Sequence, residues 1–279
     1  MMLKANNEAP QPIIQVNTLK ITAQALQQRL AEENVEAEIH PWKPDCLVLG
    51  STGDLEKLPA FRDGLFYVQD PAAKLSVLCA ELPKEAIRIL DCCAAPGGKR
   101  FAAALATAGK GSIISCDIHE HKVSLIQKGA ARLGIENHTA RQQDASENVP
   151  EWNDSFDAVI ADVPCSGYGI IRKKPDIRYK NPDDMAELPE LQLAILKNQA
   201  RYVKPGGILM YSTCTLVRSE NEGVVESFLQ ENKDYYLEPL PLPAVFPKNE
   251  SGMLALVPGE YDTDGFFIAR MRRKACTNT

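Results

Sequence analysis

No stretch of this sequence approaches the roughly 18 consecutive apolar residues that a membrane-spanning helix requires. Residues 1–15, polar and proline-containing, lack the basic-then-apolar pattern of a secretory leader. Both absences point to a cytoplasmic protein. The 8 cysteines include no Cys-x-x-Cys pair, and the 4 histidines (His40, His119, His121 and His138) stand at no zinc-ligand spacing from them. Disulfide staples and a metal site are therefore not expected. Cys46, Cys79, Cys92, Cys93, Cys116, Cys165, Cys214 and Cys276 must each be judged by its surroundings, because a buried thiol is often only a small core side chain. An excess of basic residues is missing too. The net charge of −6 excludes a surface that is positive all over, although a local basic patch can still serve a nucleic-acid enzyme. No repeat or low-complexity tract interrupts the 279 residues, enough for one large domain or two modest ones.

Two rhythms divide the chain. Up to about residue 70, a weakly alternating strand (13–16), a helix behind a threonine cap (22–31) and two short strands (37–39 and 46–49) spell a small β-α-β-β module. From Pro71 onward helices alternate with apolar strands. Helix 72–81 precedes strand 87–90, helix 101–108 precedes strand 111–116, and helix 122–133 ends at Gly134, a C-terminal cap. Strand 156–161, helix 188–203, strand 208–211, helix 220–230 and a last strand, 265–271, continue the series. Such alternation predicts an α/β fold with a mostly parallel sheet and helices on both faces. The expected division is 1–70 for the small α/β module and 71–279 for the catalytic domain. Ligands in this architecture bind outside the carboxyl ends of the strands, so motifs there carry the most weight.

The first such end runs into Asp91–Lys99, Asp-Cys-Cys-Ala-Ala-Pro-Gly-Gly-Lys. Small residues and paired glycines let a backbone turn tightly and approach a ligand closely. The Gly-x-Gly-x-x-Gly that seats a dinucleotide pyrophosphate is not there, since alanines and Pro96 replace those glycines. The loop suits a bulky ligand without phosphates, such as S-adenosylmethionine. Three carboxylates follow at successive strand ends. Asp117 is placed to bind ribose hydroxyls, Asp144 lies near an adenine, and Asp162 opens Asp-Val-Pro-Cys-Ser-Gly. One aspartate at a strand end is commonplace; three in order after a glycine loop point to a nucleoside site.

Cys165, in that hexapeptide, and Cys214, in Ser-Thr-Cys-Thr (212–215), both fall just past strand ends on the same expected rim. Carbon 5 of cytosine is too weak a nucleophile to attack a methylsulfonium. A thiolate added at carbon 6 makes carbon 5 electron-rich, and only a cysteine of lowered pKa does this well. A carboxyl group near the ring nitrogen would stabilise the developing charge, and Asp162 is the candidate. An amine-directed methyltransferase would carry an Asn/Asp-Pro-Pro-aromatic segment where this chain has Asp-Val-Pro-Cys. Chemistry alone does not rank the two thiols.

Together these segments resemble the RNA 5-methylcytosine methyltransferases, most closely the bacterial 16S ribosomal RNA methyltransferase B group (RsmB/Fmu/Sun). Residues 16–20, 40–42 and 64–70 are similar to that family's small N-terminal module and its junction. Residues 91–99, 162–167, 172–179, 204–207, 211–215, 219–222 and 258–271 are similar to its catalytic domain. The resemblance implies a Rossmann-like S-adenosylmethionine-dependent methyltransferase fold and a set of residue roles. Cys93, Ala94, Ala95, Pro96, Gly97, Gly98 and Lys99 would form the cofactor loop, Lys99 also serving catalysis. Asp117 would hold the ribose, Asp144 would sit by the adenine, and Asp162 would lie between the methionine moiety and the cytosine. Cys214 would be the nucleophile and Cys165 would assist product release. Cys92, Arg100 and Tyr179 depart from the commonest residues of the family, where Tyr179 replaces a tryptophan. Full-length members carry a helical RNA-binding domain ahead of the segment that begins here, so a fragment or a shortened homologue is expected.

Basic residues cluster twice: Arg172, Lys173, Lys174, Arg178 and Lys180 beside the expected site, and Arg270, Arg272, Arg273 and Lys274 near the end. The first group is expected to touch phosphates, and the second reads equally as a strand end. The expected partner is RNA, 16S rRNA or a small-subunit precursor, in single-stranded or loop form, bound weakly and with steep salt dependence by a monomer. Another RNA such as tRNA, a DNA cytosine target and a non-catalytic assembly factor are the alternatives. The Ser-Thr-Cys-Thr cysteine and the N-terminal module disfavour DNA.

Overall fold

The computed structural model describes residues 5–8, 10–83 and 87–275, so Cys276 lies outside it. The first sheet is built by β1 (Ile13–Val16), β2 (Ala37–His40), β3 (Lys43–Leu49) and β4 (Phe66–Val68), in the order β2-β3-β1-β4 with every pairing antiparallel. Helix α1 (Ala23–Glu32) starts where the Thr22 hydroxyl accepts a hydrogen bond from the Ala25 amide. Its buried face, Ala23, Leu26 and Leu30, packs on Ile14, Val16, Leu47, Leu49 and Phe66. A one-turn helix, α2 (Pro59–Arg62), leads into β4. The sequence shows no alternation over three residues, and β4 is a strand because β1 offers it an edge.

The second sheet holds β5 (Arg88–Asp91), β6 (Ser112–Asp117), β7 (His138–Gln142), β8 (Phe156–Asp162), β9 (Val203–Thr213), β10 (Tyr235–Leu237), β11 (Met253–Leu256) and β12 (Phe266–Arg273). Five strands run parallel in the order β7-β6-β5-β8-β9; β12 then pairs antiparallel with β9, and β10 and β11 pair antiparallel with β12. The order reverses between β5 and β8, which opens a crevice at their carboxyl ends. Alternate residues feed two cores. Ile89, Ala158, Ile160, Ile208 and Met210 meet α3 (Pro71–Leu78), α4 (Gly98–Ala106) and α5 (Glu120–Leu133) on one face. Leu90, Val159, Ala161, Leu209 and Tyr211 meet α6 (Leu188–Ala200) and α7 (Glu222–Glu231) on the other. This is the mostly parallel α/β arrangement that the sequence rhythm predicts, and the Rossmann-like fold that the family resemblance implies. Strand β9 begins at Val203, well before the predicted residue 208, and takes in Lys-Pro-Gly-Gly where the pairing with β8 shifts register. Strands β10 and β11 are also absent from the sequence reading, both being short additions to the edge.

The two sheets are locked together by polar contacts. The buried Asn17 amide donates to the carbonyls of Gly64 and Leu133, both at 2.8 Å. Arg132, at the end of α5, donates to the Phe61 and Phe66 carbonyls and stacks 3.7 Å from the Phe61 ring centroid. The indole of Trp42 donates to the Tyr261 carbonyl at 2.8 Å, and the fully buried Lys74 of α3 reaches Asp45 of β3 at 2.6 Å. None of the described helices is long and apolar enough to cross a membrane.

Candidate active site

The loop after β5 fills the crevice. The Ala94 amide donates to the Cys116 carbonyl at 2.8 Å, which pins the loop onto the end of β6. Gly97 then takes a φ of +114° and α4 starts immediately after it, several residues earlier than the sequence suggests. A side chain at Gly97 would collide with the Phe101 ring, and one at Gly98 would meet the amide of Gln69, so both positions are held to the smallest residue. The loop thus delivers a helix amino terminus to the rim, where unpaired amides favour electron-rich ligand atoms. Asp117 closes β6 and is nearly buried; it accepts from the His119 amide at 3.0 Å, with the Lys122 ammonium at 3.9 Å. Asp144 follows β7 and caps its own turn, accepting from the Ser146 amide and hydroxyl.

Asp91, last residue of β5, is wholly buried, and neither carboxylate oxygen has a hydrogen-bond partner among the described residues. Burial, and secondarily the charges of Asp162 and Asp117, push its carboxyl up to about 7 against the pull of Lys99 and Arg100. Ser115, its neighbour on β6, has a buried hydroxyl in the same condition. Orphaned buried acceptors of this kind call for a donor from outside the chain or a water. A ligand with an ammonium group and hydroxyls, such as S-adenosylmethionine, fits that demand. The sequence reading passed over Asp91, although its place at a strand end was signal enough.

Beyond the crevice lies the thiol pair. Cys165 comes three residues after β8 and Cys214 directly after β9, and their sulfurs stand 3.3 Å apart. The Cys165 thiol, hydrogen-bonded to the Cys214 sulfur, is held well above the ordinary thiol range, with burial adding to the effect. Cys214 is held below it, first by accepting that hydrogen bond and then by the Lys99 and Lys174 charges, against burial and Asp162. Beside the pair, Lys99 meets the Asp162 carboxylate at 2.6 Å, and the Ser212 hydroxyl donates to the other oxygen of Asp162 at 2.7 Å. The turn carrying Cys165 is held from behind by Glu220, which accepts from the Ser166 amide and from Gln192, both at 2.9 Å. Sequence reasoning missed Glu220, since its position at the start of a predicted helix gave no hint of an inward side chain.

Both thiols open into a cavity of about 670 Å³, walled by Ser166, Ile170, Lys174, Ile177 and Lys180 among others. Its outer wall, residues 168–180, docks through Gly169, whose amide donates to the Cys214 carbonyl and whose carbonyl accepts from Gly265. A Cβ at either glycine would run into the backbone of the other. Four charges reinforce this contact: Asp264 takes Arg172 at 2.7 Å and Lys173 at 2.5 Å, and Asp70 takes Lys173 at 3.1 Å. The expectation that the first basic cluster touches phosphates therefore needs correcting. Arg172 and Lys173 are engaged in ion pairs, Arg178 donates to Asn6 and Asn7, and the Lys180 ammonium donates to the Ser166 carbonyl. Lys174 alone in that cluster has no ion pair or side-chain hydrogen bond among the described residues. The second cluster lies at the opposite rim. Arg273 donates to the Val203 carbonyl and Arg272 to the Gly206 carbonyl, at the start of β9, and Arg270, Arg272 and Arg273 meet Glu81, Glu238, Asp154 and Asp234. It is a strand end, as the alternative reading had it. None of the seven described cysteines forms a disulfide, and the described residues hold no cluster of potential metal ligands.

Comparison with known proteins places this geometry. The family model for the 16S rRNA methyltransferase RsmB/F matches residues 79–272, and the RsmF/B-like ferredoxin-like domain matches residues 1–56. The chain belongs to the RsmB/F family. It is similar to the Bacillus subtilis (strain 168) protein named "Probable ribosomal RNA small subunit methyltransferase B", 40% identical over 95% of this chain and 60% of that one. It is likewise similar to ribosomal RNA small subunit methyltransferase B of Klebsiella pneumoniae (strain 342), 34% identical over 98% of this chain and 62% of that one. The RsmB/F chain thus spans about three fifths of the length of these curated relatives. A methyltransferase homologue from Pyrococcus horikoshii superposes with a TM-score of 0.82 at 30% identity, covering 98% of this chain and 89% of its own. NSun6 from the same organism, solved with SFG, has the same fold: TM-score 0.86 at 23% identity, covering 98% and 93%.

Proposed function

We propose that this chain carries an S-adenosylmethionine-dependent activity that methylates carbon 5 of a cytosine in RNA, with 16S rRNA or its precursor as substrate. The observation that carries the reading is the thiol pair, 3.3 Å apart on the rim that also holds the Lys99–Asp162 pair and the glycine loop. In this reading residues 1–70 form the RNA-binding-type module and 71–279 the catalytic domain, acting as a monomer. Residues 93–99, Asp117, Asp144 and Asp162 hold the cofactor, with Asp91 adding a buried acceptor for its ammonium. When bound, S-adenosylmethionine supplies an electrophilic methyl group.

The chain's own residues prepare the other reactant. Cys214, the thiol of lowered pKa, bonds to carbon 6 of the cytosine and makes carbon 5 nucleophilic. The Lys99 ammonium, positioned by Asp162 and through it by Ser212, meets the negative charge that develops toward ring nitrogen 3. After methylation the carbon 5 proton passes to a base or to water, its electron pair restores the ring double bond, and the bond from carbon 6 to sulfur breaks with Cys214 leaving as a thiolate. Cys165, one hydrogen bond from the departing sulfur, assists that step.

The test is direct: RNA extracted from precursor small subunits is incubated with the chain and methyl-labelled cofactor, then mapped for 5-methylcytosine. Label at carbon 5 of cytosine in single-stranded RNA is the expected result. Label on an exocyclic amine, or label that persists in Cys214→Ala, overturns the reading.

A further inference from the structure

Tyr179, which closes the turn 175–179, is 85% exposed, whereas the next most exposed large apolar residue among the described ones, Val68, reaches 54%. The ring makes no aromatic contact or hydrogen bond among the described residues. Its neighbours are all fixed. Ile177 is buried in the wall of the cavity that holds both thiols, Arg178 is tied to Asn6 and Asn7, and the Lys180 ammonium is tied to the carbonyl of Ser166, next to Cys165. The turn therefore holds one aromatic face in water, on rigid backbone, at the outer edge of the site.

Resting on the methylation reading above, we infer that Tyr179 is a stacking platform for the unpaired base next to the target cytosine. Chemistry selects this occupant. A cytosine entering the 670 Å³ cavity leaves its stack, and the adjoining base loses one neighbour. An exposed aromatic ring replaces that lost surface for any base, because every base has a π-face. The strand's backbone meets Lys174, the cation in this wall that has neither an ion pair nor a side-chain hydrogen bond among the described residues. The two basic residues flanking Tyr179 are committed to internal bonds, so the turn offers a ring rather than a phosphate clamp. A protein partner would want a contiguous apolar patch, and Tyr179 stands alone between charged residues.

The experiment titrates the full chain at low salt into a short single-stranded RNA with 2-aminopurine immediately 5′ or 3′ of the target cytosine. Wild type is expected to quench the fluorophore at one of the two positions. Tyr179→Ala loses the quench and weakens binding roughly 5- to 100-fold, as removal of one base–aromatic stack does. Tyr179→Trp and Tyr179→Phe keep both. Because Tyr179 is 85% exposed and its ring makes no aromatic contact or hydrogen bond among the described residues, none of these variants moves the melting temperature. Affinity of Tyr179→Ala within twofold of wild type, a retained quench, or no quench by wild type at either position overturns the platform. A wild type that quenches yet forms no 5-methylcytosine keeps the platform and overturns the methylation reading. One that methylates with unchanged KM in Tyr179→Ala overturns the platform alone.

Discussion

The two ends of the large sheet carry comparable charge and use it in opposite ways. Where the parallel strands begin, Arg270, Arg272 and Arg273 each meet carboxylates, and Arg272 with Arg270 holds Glu238 below the usual carboxylate range. Where they end, two thiols face each other, and among the described residues the buried Asp91 has no hydrogen-bond partner and Lys174 no ion pair. The first rim pairs its charges with opposite ones, whereas at the second a buried carboxyl and a lysine go without such partners among the described residues. A folded chain tolerates unsatisfied groups where a ligand completes them, so the imbalance marks the working end. It also shows that a run of basic residues in a sequence says nothing about whether those charges are available.

The sharpest way to break the contrast is at the thiols. Cys214→Ala is expected to lower methyl transfer by at least about 1000-fold, because nucleophilic catalysis is lost outright. Cys165→Ala is expected to keep methyl transfer to the ring and accumulate protein–RNA adduct, visible as a slow band on a denaturing gel. RNA with 5-fluorocytosine, which has no carbon 5 proton to lose, should give that band with wild type and none with Cys214→Ala. Were the bands exchanged between the two variants, the assigned roles would be reversed.

At the paired rim the effect falls on stability instead. The Arg270 side chain is 5% exposed and reaches Glu81 and Glu238, each at 2.8 Å. Arg270→Met removes the buried member of a partly exposed network and should cost about 1–3 kcal/mol in urea unfolding. RNA affinity should stay as it was. A loss of RNA binding at unchanged stability would put a functional surface on the wrong end of the sheet.

Much of this contrast was legible beforehand. The strand-end positions of Cys165, Cys214, Asp117 and Asp162 follow from an alternation of helices and strands that the sequence states clearly. Partnership is another matter. That Lys173 turns to Asp70 and Asp264, or Arg270 to Glu81, depends on segments 103 and 189 residues apart in sequence, and local pattern holds no record of such pairings. Glu220 and β4 escaped for the same reason, since each acquires its role from a distant neighbour. Asp91 is different: it stood in the open beside the glycine loop, and only its burial shows that it matters.

Asp91 gives the next test of the unsatisfied rim. Its folded carboxyl, at about 7, lies above the ordinary 3.8. Between those values the folded state keeps a proton that the unfolded chain has released, so stability is full below about pH 4 and falls as pH rises toward 7. The loss is on the order of 4 kcal/mol. Asp91→Asn should flatten that slope and unfold at higher urea than wild type at pH 8, while binding S-adenosylmethionine less tightly. Parallel pH profiles for the two proteins would mean that the carboxyl already has a partner.

The smallest expected effect separates the two rims on the same axis, that of free charge. Lys174 lies in the wall of the thiol cavity without an ion pair among the described residues, whereas Lys274, at the far rim, donates to the Lys233 carbonyl. If phosphates are met at the working end, Lys174→Ala lowers RNA affinity about 2- to 5-fold in low salt. It also makes the dependence of log affinity on log salt shallower by about one contact. Its urea midpoint stays put, since an exposed and unpaired ammonium adds little to folding. Lys274→Ala leaves both affinity and slope unchanged. The comparison stands on the slope and not on the affinity alone. Loss of a general positive charge would shift both variants equally, but a phosphate contact at one rim shifts only the variant that removes it.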